Sequence, residues 1–171
     1  MAPKSSTAKK PAAAAFTPHD HSLCVDDAMM RARTLCTEAG VRLTPLREEV
    51  LQIVWSSHQP IGAYDVLASL GKKHDNPKPP TVYRALDFLL EQGLVHRIES
   101  LNAYIGCSHQ DLGGMGAHNS QFLICRSCGN AKEIADPAIG EALQKVAAAE
   151  GFKQEKRVIE ITGLCRDCAA S

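Results

Sequence analysis

Cys125-Arg-Ser-Cys128 is followed, after 36 intervening residues, by Cys165-Arg-Asp-Cys168. A C-x2-C turn projects two sulfurs towards one point, and two such pairs supply the four thiolates of a tetrahedral zinc site. Because 36 residues exceed a minimal zinc ribbon, the loop between the pairs must contain folded elements of its own. The pattern predicts a structural zinc. A redox dithiol switch and coincidentally buried cysteines are the alternatives.

A closed four-thiolate site leaves no open coordination position, so it holds a fold together but cannot activate water. The function therefore has to come from another part of the chain. A zinc hydrolase or nucleobase deaminase is disfavoured, because a deaminase needs an H-x-E motif upstream of P-C-x-x-C and neither occurs here. A redox-switched protein remains an alternative; its activity would change on mild oxidation without any dependence on free zinc.

Length and composition suit one compact domain or two small ones, since the chain has 171 residues and is 44% hydrophobic. No apolar run approaches the ~20 residues of a membrane span. Pro11 and Pro18 interrupt the only short apolar stretch near the N-terminus, so no signal peptide is expected. We expect a cytoplasmic protein without a membrane partner. Seven cysteines in that reducing compartment favour metal binding over disulfides.

The charge balance gives no general indication of nucleic-acid binding. The formal net charge is +0, and residues 41–99 carry seven basic and seven acidic side chains. Binding to DNA would therefore have to rest on a local basic face. Residues 1–20 are rich in Ala, Pro, Ser and Lys and are predicted to form a disordered tail.

Residues 21–106 show the periodicity of helices followed by two strands. Apolar spacing, N-cap signals and closing glycines predict four helices and two strands, at Leu23–Ala39, Pro45–Ser56, Ala63–Gly71, Pro79–Gly93, Leu94–Ile98 and Ala103–Ile105. Ser22 is the predicted N-cap of the first helix. Three short helices before a two-stranded ribbon are typical of a winged helix-turn-helix, whose last helix enters the major groove. An ordinary helical subdomain with a solvated charged face fits the pattern equally well.

The polar face of the fourth predicted helix carries Thr81, Tyr83 and Arg84 directly after Pro80. Backbone N–H groups at a helix start can bind phosphate, and an arginine offers a bidentate fork to guanine. These residues are the candidates for contact with double-stranded DNA.

Residues 107–117 contain three glycines and are predicted to form a hinge or loop. Beyond them, residues 118–171 predict a small α/β domain with strands at His118–Cys125, Ala131–Ala135 and Phe152–Thr162. A helix starting at Pro137 has a predicted core face of Ile139, Ala142, Leu143 and Val146. The predicted fold class is α+β: a winged helix-turn-helix domain followed by a small α/β domain that the four cysteines staple.

A second set of metal-ligating residues lies around the junction of the two halves. Its members are two imidazoles, one thiolate and one carboxylate, a combination that suits zinc: His96, Cys107, His118 and Glu133. Taken singly, His96 also reads as a surface histidine and Glu133 as a solvated acid. His19-Asp-His21 could bind a metal, but an ordinary polar cluster is favoured. Cys24 and Cys36 lack ligand spacing and are interpreted as small buried or half-buried side chains.

Three contiguous blocks resemble the ferric uptake regulator family and, within it, the zinc uptake regulator branch. The blocks are Val41-Arg-Leu-Thr-Pro-Leu-Arg, Ala63-Tyr-Asp-Val-Leu and Lys78-Pro-Pro-Thr-Val-Tyr-Arg-Ala-Leu-Asp-Phe-Leu-Leu-Glu-Gln-Gly93. Leu94-Val-His-Arg-Ile-Glu-Ser and both C-x2-C pairs continue the match, which covers residues 41–168. Such long blocks are far more specific than a single short motif.

The resemblance implies a homodimeric, metal-dependent transcriptional repressor that binds a palindromic DNA operator and carries two zinc ions per chain. It places Cys125, Cys128, Cys165 and Cys168 on the structural zinc site. His96, Cys107, His118 and Glu133 fall on the regulatory zinc site, and Tyr64 and Arg84 on positions that read DNA bases. The second domain is implied to dimerise, and the implied targets are genes of zinc uptake. A non-enzymatic role follows.

The chain departs from iron-sensing relatives just after Cys107. Those relatives have a His-rich cluster there, whereas this chain has Ser108-His-Gln-Asp111 and then a glycine-rich loop. A third metal site that uses His109 or Asp111 is therefore in doubt. An iron- or peroxide-sensing regulator of the same family is the alternative function. The soft thiolate beside two imidazoles favours zinc, and one thiolate with one carboxylate offsets the charge of one divalent cation.

Overall fold

The computed structural model describes residues 15–16, 19–108, 121–155 and 157–170. Within them the chain forms two halves, each with a three-stranded sheet. The first half comprises α1 (His21–Glu38), α2 (Pro45–Val54), β1 (Ile61–Gly62), α3 (Ala63–Leu70), α4 (Pro79–Glu91), β2 (Val95–Ile98), a 3-10 turn (Glu99–Leu101) and β3 (Ala103–Gly106). The second comprises β4 (Gln121–Cys125), β5 (Ala131–Ile134), α5 (Pro137–Ala149), β6 (Ile159–Gly163) and α6 (Arg166–Ala169). The predicted mixture of helix and sheet is confirmed.

The first half is a helical core closed by an antiparallel sheet in the order β1-β3-β2. Its helices bury one apolar stripe each, as the 3.6-residue period predicts. On α4 the buried residues are Val82, Ala85, Leu86, Phe88 and Leu89, and they pack in one cluster with residues of α1, α2 and α3. The opposite side of α4 is left to solvent. This is the winged-helix arrangement that the sequence predicts.

Several helix ends follow local sequence signals. Thr44 caps α2 with Pro45 at the first helical position, and Asp136 caps α5 by accepting a hydrogen bond from the backbone N–H of Ala138 at 2.9 Å. Gly93 ends α4 with a φ of +66°, which a side chain would strain. The prediction of Ser22 as the N-cap of α1 was wrong, because Asp20 takes that role and accepts from the Ser22 N–H.

Three elements differ from the prediction. The two-residue strand β1 was missed, because its pairing with β3 is a long-range contact. The last strand begins at Ile159 rather than Phe152, and the residues described between 152 and 158 are irregular. The short helix α6 begins directly after Cys165, ends one residue past Cys168 and has too few residues to show a period.

The second half places its two C-x2-C pairs at one end of its sheet. The strand order is β5-β4-β6, with β4 antiparallel to β5 and parallel to β6. In the parallel register Cys125 lies opposite Gly163, so the first pair leaves β4 where the second pair follows β6. Parallel neighbours end at the same edge, and this topology therefore brings together cysteines that are distant in sequence.

The predicted core face of α5 is not buried within one chain. Leu143 is 40% exposed and Val146 63% exposed, and Gly140 is the buried residue of this helix. Strand β6 is similar, since Ile161 is 48% exposed and the nearby Phe152 68%. The prediction of a core face on α5 was therefore wrong for the single chain, because nothing among its described residues covers this face.

The two halves contact each other through the wing. Ile98 and Ile105 form a buried cluster with Phe122, Ile124 and Ala131 of the second sheet. The carboxylate of Glu160 on β6 accepts hydrogen bonds from the backbone N–H groups of Glu99 at 2.6 Å and Ser100 at 3.1 Å. The division at residues 107–117 stays a prediction, because residues 109–117 lie outside the described part.

In the part of the chain that the structure describes, no helix combines the length and apolarity required to cross a membrane.

Gly106 on β3 packs directly against Trp55, and we expect Gly106→Ala to destabilise the fold. A Cβ at this position would lie 2.1 Å from Cε2 of the buried indole, so the ring or the strand must move. Overpacking of this kind lowers the free energy of unfolding by about 1–3 kcal/mol, which urea denaturation measures.

Gly71→Ala is the control in the same half. Gly71 has a φ of −61°, and a Cβ there meets its neighbours at ordinary distances of 3.5–3.9 Å. This change should leave stability equal or raise it slightly, because alanine restricts the unfolded chain. Equal stability of the two variants would contradict the proposed clash with Trp55.

Candidate metal centres and nucleic-acid interface

The four cysteines of the two C-x2-C pairs form one cluster at the end of the second sheet. Their sulfurs all lie within 4.8 Å of one another, and Cys128 Sγ is 3.9 Å from Cys165 Sγ. The backbone N–H of Cys165 points at Cys125 Sγ, at 3.3 Å. Such backbone N–H groups stabilise a thiolate, the form of cysteine that binds metal.

The protonation of this cluster shows why it suits a cation. Backbone hydrogen bonds, first from Cys128 and then from Cys165, lower the pKa of Cys125 to about 6. A hydrogen bond with Ser127 lowers the pKa of Cys168, but Cys165, burial and the other thiols outweigh it and raise that pKa to about 11. Four adjacent thiolates cannot form without a compensating positive charge. Zinc, which takes four sulfurs in a tetrahedron, fits this donor set.

A second cluster lies at the junction of the halves and contains three of the four predicted regulatory ligands. His96 projects from β2, Cys107 follows β3, and Glu133 lies on β5, with ligand atoms within 4.8 Å of one another. His96 Nε2 is 2.9 Å from Glu133 Oε1, and the Glu133 side chain is only 1% exposed. The other carboxylate oxygen, Oε2, accepts hydrogen bonds from the backbone N–H of Ser108 at 2.8 Å and its hydroxyl at 3.1 Å.

The electrostatics of this junction cluster favour a positive charge. Burial by itself lowers the pKa of His96, but hydrogen bonds and charges of Cys107 and Glu133 outweigh burial and raise the pKa to about 10. Without a metal, a proton on the imidazole therefore compensates the buried Glu133 carboxylate. Zinc can replace that proton, because imidazole, thiolate and carboxylate are all zinc ligands.

The fourth predicted ligand, His118, lies outside the described residues, as do His109 and Asp111. The described chain ends at Ser108 on one side of this gap and resumes at Gln121 on the other. Both ends belong to the junction, since Ser108 contacts Glu133 and Gln121 begins β4.

A third group of potential ligands lies at the start of α1, where sequence reasoning weighed His19 and His21 as metal ligands, favoured an ordinary polar cluster and gave Cys24 no ligand spacing. It contains His19, His21, Cys24 and His58, whose ligand atoms also lie within 4.8 Å of one another. Cys36, by contrast, is buried in the helical core as expected. His58 is 34 positions from Cys24, so no local spacing could have indicated this group.

The predicted DNA-contacting residues are all exposed on the first half. Tyr64 lies in the first turn of α3 and is 69% exposed, an unusual position for a large aromatic side chain. Thr81, Tyr83 and Arg84 lie in the first two turns of α4, opposite its buried stripe. Aromatic, hydroxyl and guanidinium groups are therefore exposed to solvent in the first turns of α3 and α4.

Comparison with known proteins places the chain in a family. A sequence model of the ferric uptake regulator family matches residues 38–162. The zinc uptake regulation protein of Escherichia coli (strain K12) is 43% identical over 140 residues, which span 82% of this chain and 80% of that relative.

Solved structures agree in fold. A structure described as a zinc uptake regulator complexed with zinc and DNA superposes with a TM-score of 0.79 at 41% identity, covering 85% of this chain and 95% of the other. The crystal structure of holo XcZur gives 0.76 at 37% identity, with coverage of 89% and 100%, whereas its apo form gives 0.50 with coverage of 85% and 97%. With 43% identity to a curated relative and a family match over most of its length, the chain belongs to the ferric uptake regulator family.

Proposed function

We propose that the protein is a zinc-responsive transcriptional repressor in which zinc at the junction of the halves acts as corepressor. It binds a palindromic operator in double-stranded DNA as a homodimer, acts in the cytoplasm and regulates genes of zinc uptake. Its activity is binding and needs no catalytic step. The family membership and the similarity to zinc uptake regulators over more than four-fifths of the chain support this proposal.

One observation carries the mechanism: the junction ligands come from both halves of the molecule. His96 belongs to the wing of the first half, whereas Glu133 belongs to the sheet of the second, and the two are in contact at 2.9 Å. A metal held by both must favour one relative orientation of the halves. Zinc binding therefore shifts a population of dimers towards that orientation.

The composition of the site favours zinc over ferrous iron. Cys107 contributes a soft thiolate and His96 an imidazole, and His118 is proposed as the fourth ligand. Thiolate and carboxylate together offset the charge of a divalent cation. An iron- or peroxide-sensing regulator is the second candidate, supported by the shared family fold. Metal analysis of protein from zinc-limited and iron-replete cells separates the two, since an iron sensor would carry iron at the junction.

The comparison with holo and apo forms supports the same switch. The described arrangement superposes on holo XcZur with a TM-score of 0.76 and on apo XcZur with 0.50 at the same identity. The described arrangement is therefore more similar to the metal-bound relative than to its metal-free form. Because coupling between two binding equilibria is reciprocal, operator DNA should tighten zinc binding by the factor by which zinc tightens DNA binding.

The exposed apolar face of the second half supports a homodimer. Val146 on α5, Ile161 on β6 and Phe152 between them are about half or more exposed in the single chain. A small domain cannot leave such a face in water at low cost, and a second copy supplies the same surface in return. A two-fold dimer presents two α4 helices, which match half-sites about one helical turn, ~34–36 Å, apart.

The proposed structural zinc at the four cysteines holds this dimerisation half together. We expect Cys125→Ser or Cys168→Ser to unfold or monomerise it, because the binding energy of a structural zinc is folding energy. Mass analysis, zinc content and thermal unfolding report the change. Cys36→Ala, which removes a thiol outside the metal groups, should keep the zinc and the dimer. A Cys125→Ser protein of parental mass and stability without this zinc would contradict the assignment.

The exposed guanidinium of Arg84 is the proposed base-reading group. Arg84→Ala should weaken operator binding by about 1–3 kcal/mol if the guanidinium donates two hydrogen bonds to the edge of a base. Binding to unrelated DNA, which depends on phosphates and salt, should fall less. Arg33→Ala removes an equal charge from α1, where Glu48 pairs with it, and serves as the control. Equal losses on operator and unrelated DNA would instead make Arg84 a phosphate contact.

The junction thiolate is the most informative target for zinc sensing. Cys107→Ser should lose one zinc per chain, keep the four-cysteine zinc and the dimer, and bind operator poorly at free zinc that saturates the parent. This loss of zinc is expected because a serine hydroxyl binds zinc more weakly than a cysteine thiolate does. A DNA-binding titration across buffered free zinc measures the shift, and Cys36→Ala is again the matched control. A Cys107→Ser protein with parental zinc content and response would show that the junction is not the sensor.

A further inference from the structure

The start of α1 carries a group of metal-ligating side chains that neither proposed zinc centre uses. His19 precedes the helix, and His21 and Cys24 lie three positions apart in its first turns, so they share one face. His58 reaches the same point from the loop after α2. All four offer ligand atoms within 4.8 Å of one another, a spacing that one ion can span.

The histidines of this group already face one another. His58 Nε2 lies 2.9 Å from His19 Nε2, and the ring centroids of His21 and His58 are 4.5 Å apart. Two imidazole nitrogens at that distance share one proton, so one of them is unprotonated. An unprotonated imidazole nitrogen is the form of histidine that coordinates metals.

The His21 ring makes the kind of hydrogen bond that metal-ligating histidines commonly make. Its Nε2 lies 2.7 Å from the carbonyl oxygen of Trp55, and because a carbonyl only accepts, Nε2 carries the proton. In the neutral ring Nδ1 is then the unprotonated nitrogen. Across the part of the chain that the structure describes, this buried Nδ1 has no hydrogen-bond partner. Ligating histidines commonly donate their other ring N–H to a backbone carbonyl, which fixes the tautomer and the ring.

We propose that His19, His21, Cys24 and His58 form a third metal site that binds zinc. Three imidazoles and one thiolate complete a tetrahedron, and Zn–N and Zn–S bonds of about 2.0–2.3 Å set neighbouring ligand atoms roughly 3.3–3.8 Å apart. The His19–His58 pair has to widen by about half an ångström to reach that spacing. Nitrogen and sulfur donors exclude magnesium and calcium, which take oxygen ligands.

Zinc at this third site would stabilise the first half at the point where it contacts the second half. The carbonyl of His58 accepts a hydrogen bond from the backbone N–H of Ala131 at 2.9 Å, at the start of β5. The neighbouring Gln59 side chain donates to the carbonyl of Cys128 at 2.8 Å. The site thus anchors the loop that contacts both the strand bearing Glu133 and the turn bearing the structural cysteines. Occupancy should slow hydrogen exchange at the Ala131 amide.

Zinc counting on the full-length protein tests this site. Metal-free protein is equilibrated with buffered free zinc, and bound zinc per chain is measured by elemental analysis. The parent should reach one zinc more than the four-cysteine and junction sites hold. His58→Asn should bind that additional zinc at least about tenfold more weakly. His74→Asn is the matched control, because this exposed histidine pairs with Glu49 away from the metal groups, and it should bind as the parent does.

Cys24→Ser is the second variant and removes the thiolate with a side chain of similar size. It should also weaken the additional zinc, and either variant should lose the zinc-dependent protection of the Ala131 amide. Parental zinc affinity in a folded His58→Asn or Cys24→Ser protein would overturn the site. The result is distinct from failure of the proposed sensor. Loss of zinc in His58→Asn, with an unaltered count in Cys107→Ser, would reject the junction and retain the third site.

Discussion

The contact between His96 and Glu133 is the interaction on which the arrangement of the two halves depends. A carboxylate that is 1% exposed is costly unless its charge is compensated, and here an imidazole and the Ser108 N–H and hydroxyl compensate it. Full compensation of the negative charge on the Glu133 carboxylate needs a cation between β2 and β5. A proton on His96 or a bound metal ion can supply it. The junction is therefore organised around a positive charge before the identity of that charge is considered.

The second half of the chain depends on stabilisation from outside its own core. Among its described residues the sheet has three strands, and the longer of two helices, α5, leaves Val146 and Leu143 exposed. A domain of this size seldom buries enough apolar surface to be stable by itself, so a metal staple and a partner surface are the expected supports. The four-cysteine cluster at one end of the sheet is the proposed position of the metal, and the exposed face is the proposed position of the partner surface.

The loop after α2 connects these features. Trp55 at its start packs on Gly106, accepts a hydrogen bond from His21 and lies near the junction, while His58 and Gln59 contact the second half by backbone and side chain. Movement of this loop would disturb the helical core and the interface together. Changes at the start of α1 can therefore reach the junction of the two halves through a continuous set of contacts, without any direct ligand in common.

Local sequence signals determined most of the secondary structure and the existence of a four-cysteine centre. Thr44-Pro45 and Asp136-Pro137 mark helix starts because capping involves only neighbouring residues, and the apolar stripe of α4 follows from its period. The family resemblance then pointed to His96, Cys107, His118 and Glu133 as one set, which spacing alone left open; the structure groups the three of them that it describes. Tertiary structure decided what depends on distant segments: the parallel pairing of β4 with β6, the short strand β1, the exposure of the α5 face and the approach of His58 to Cys24. Those features depend on segments that are tens of positions apart, and a pattern that repeats every few residues carries no information about them.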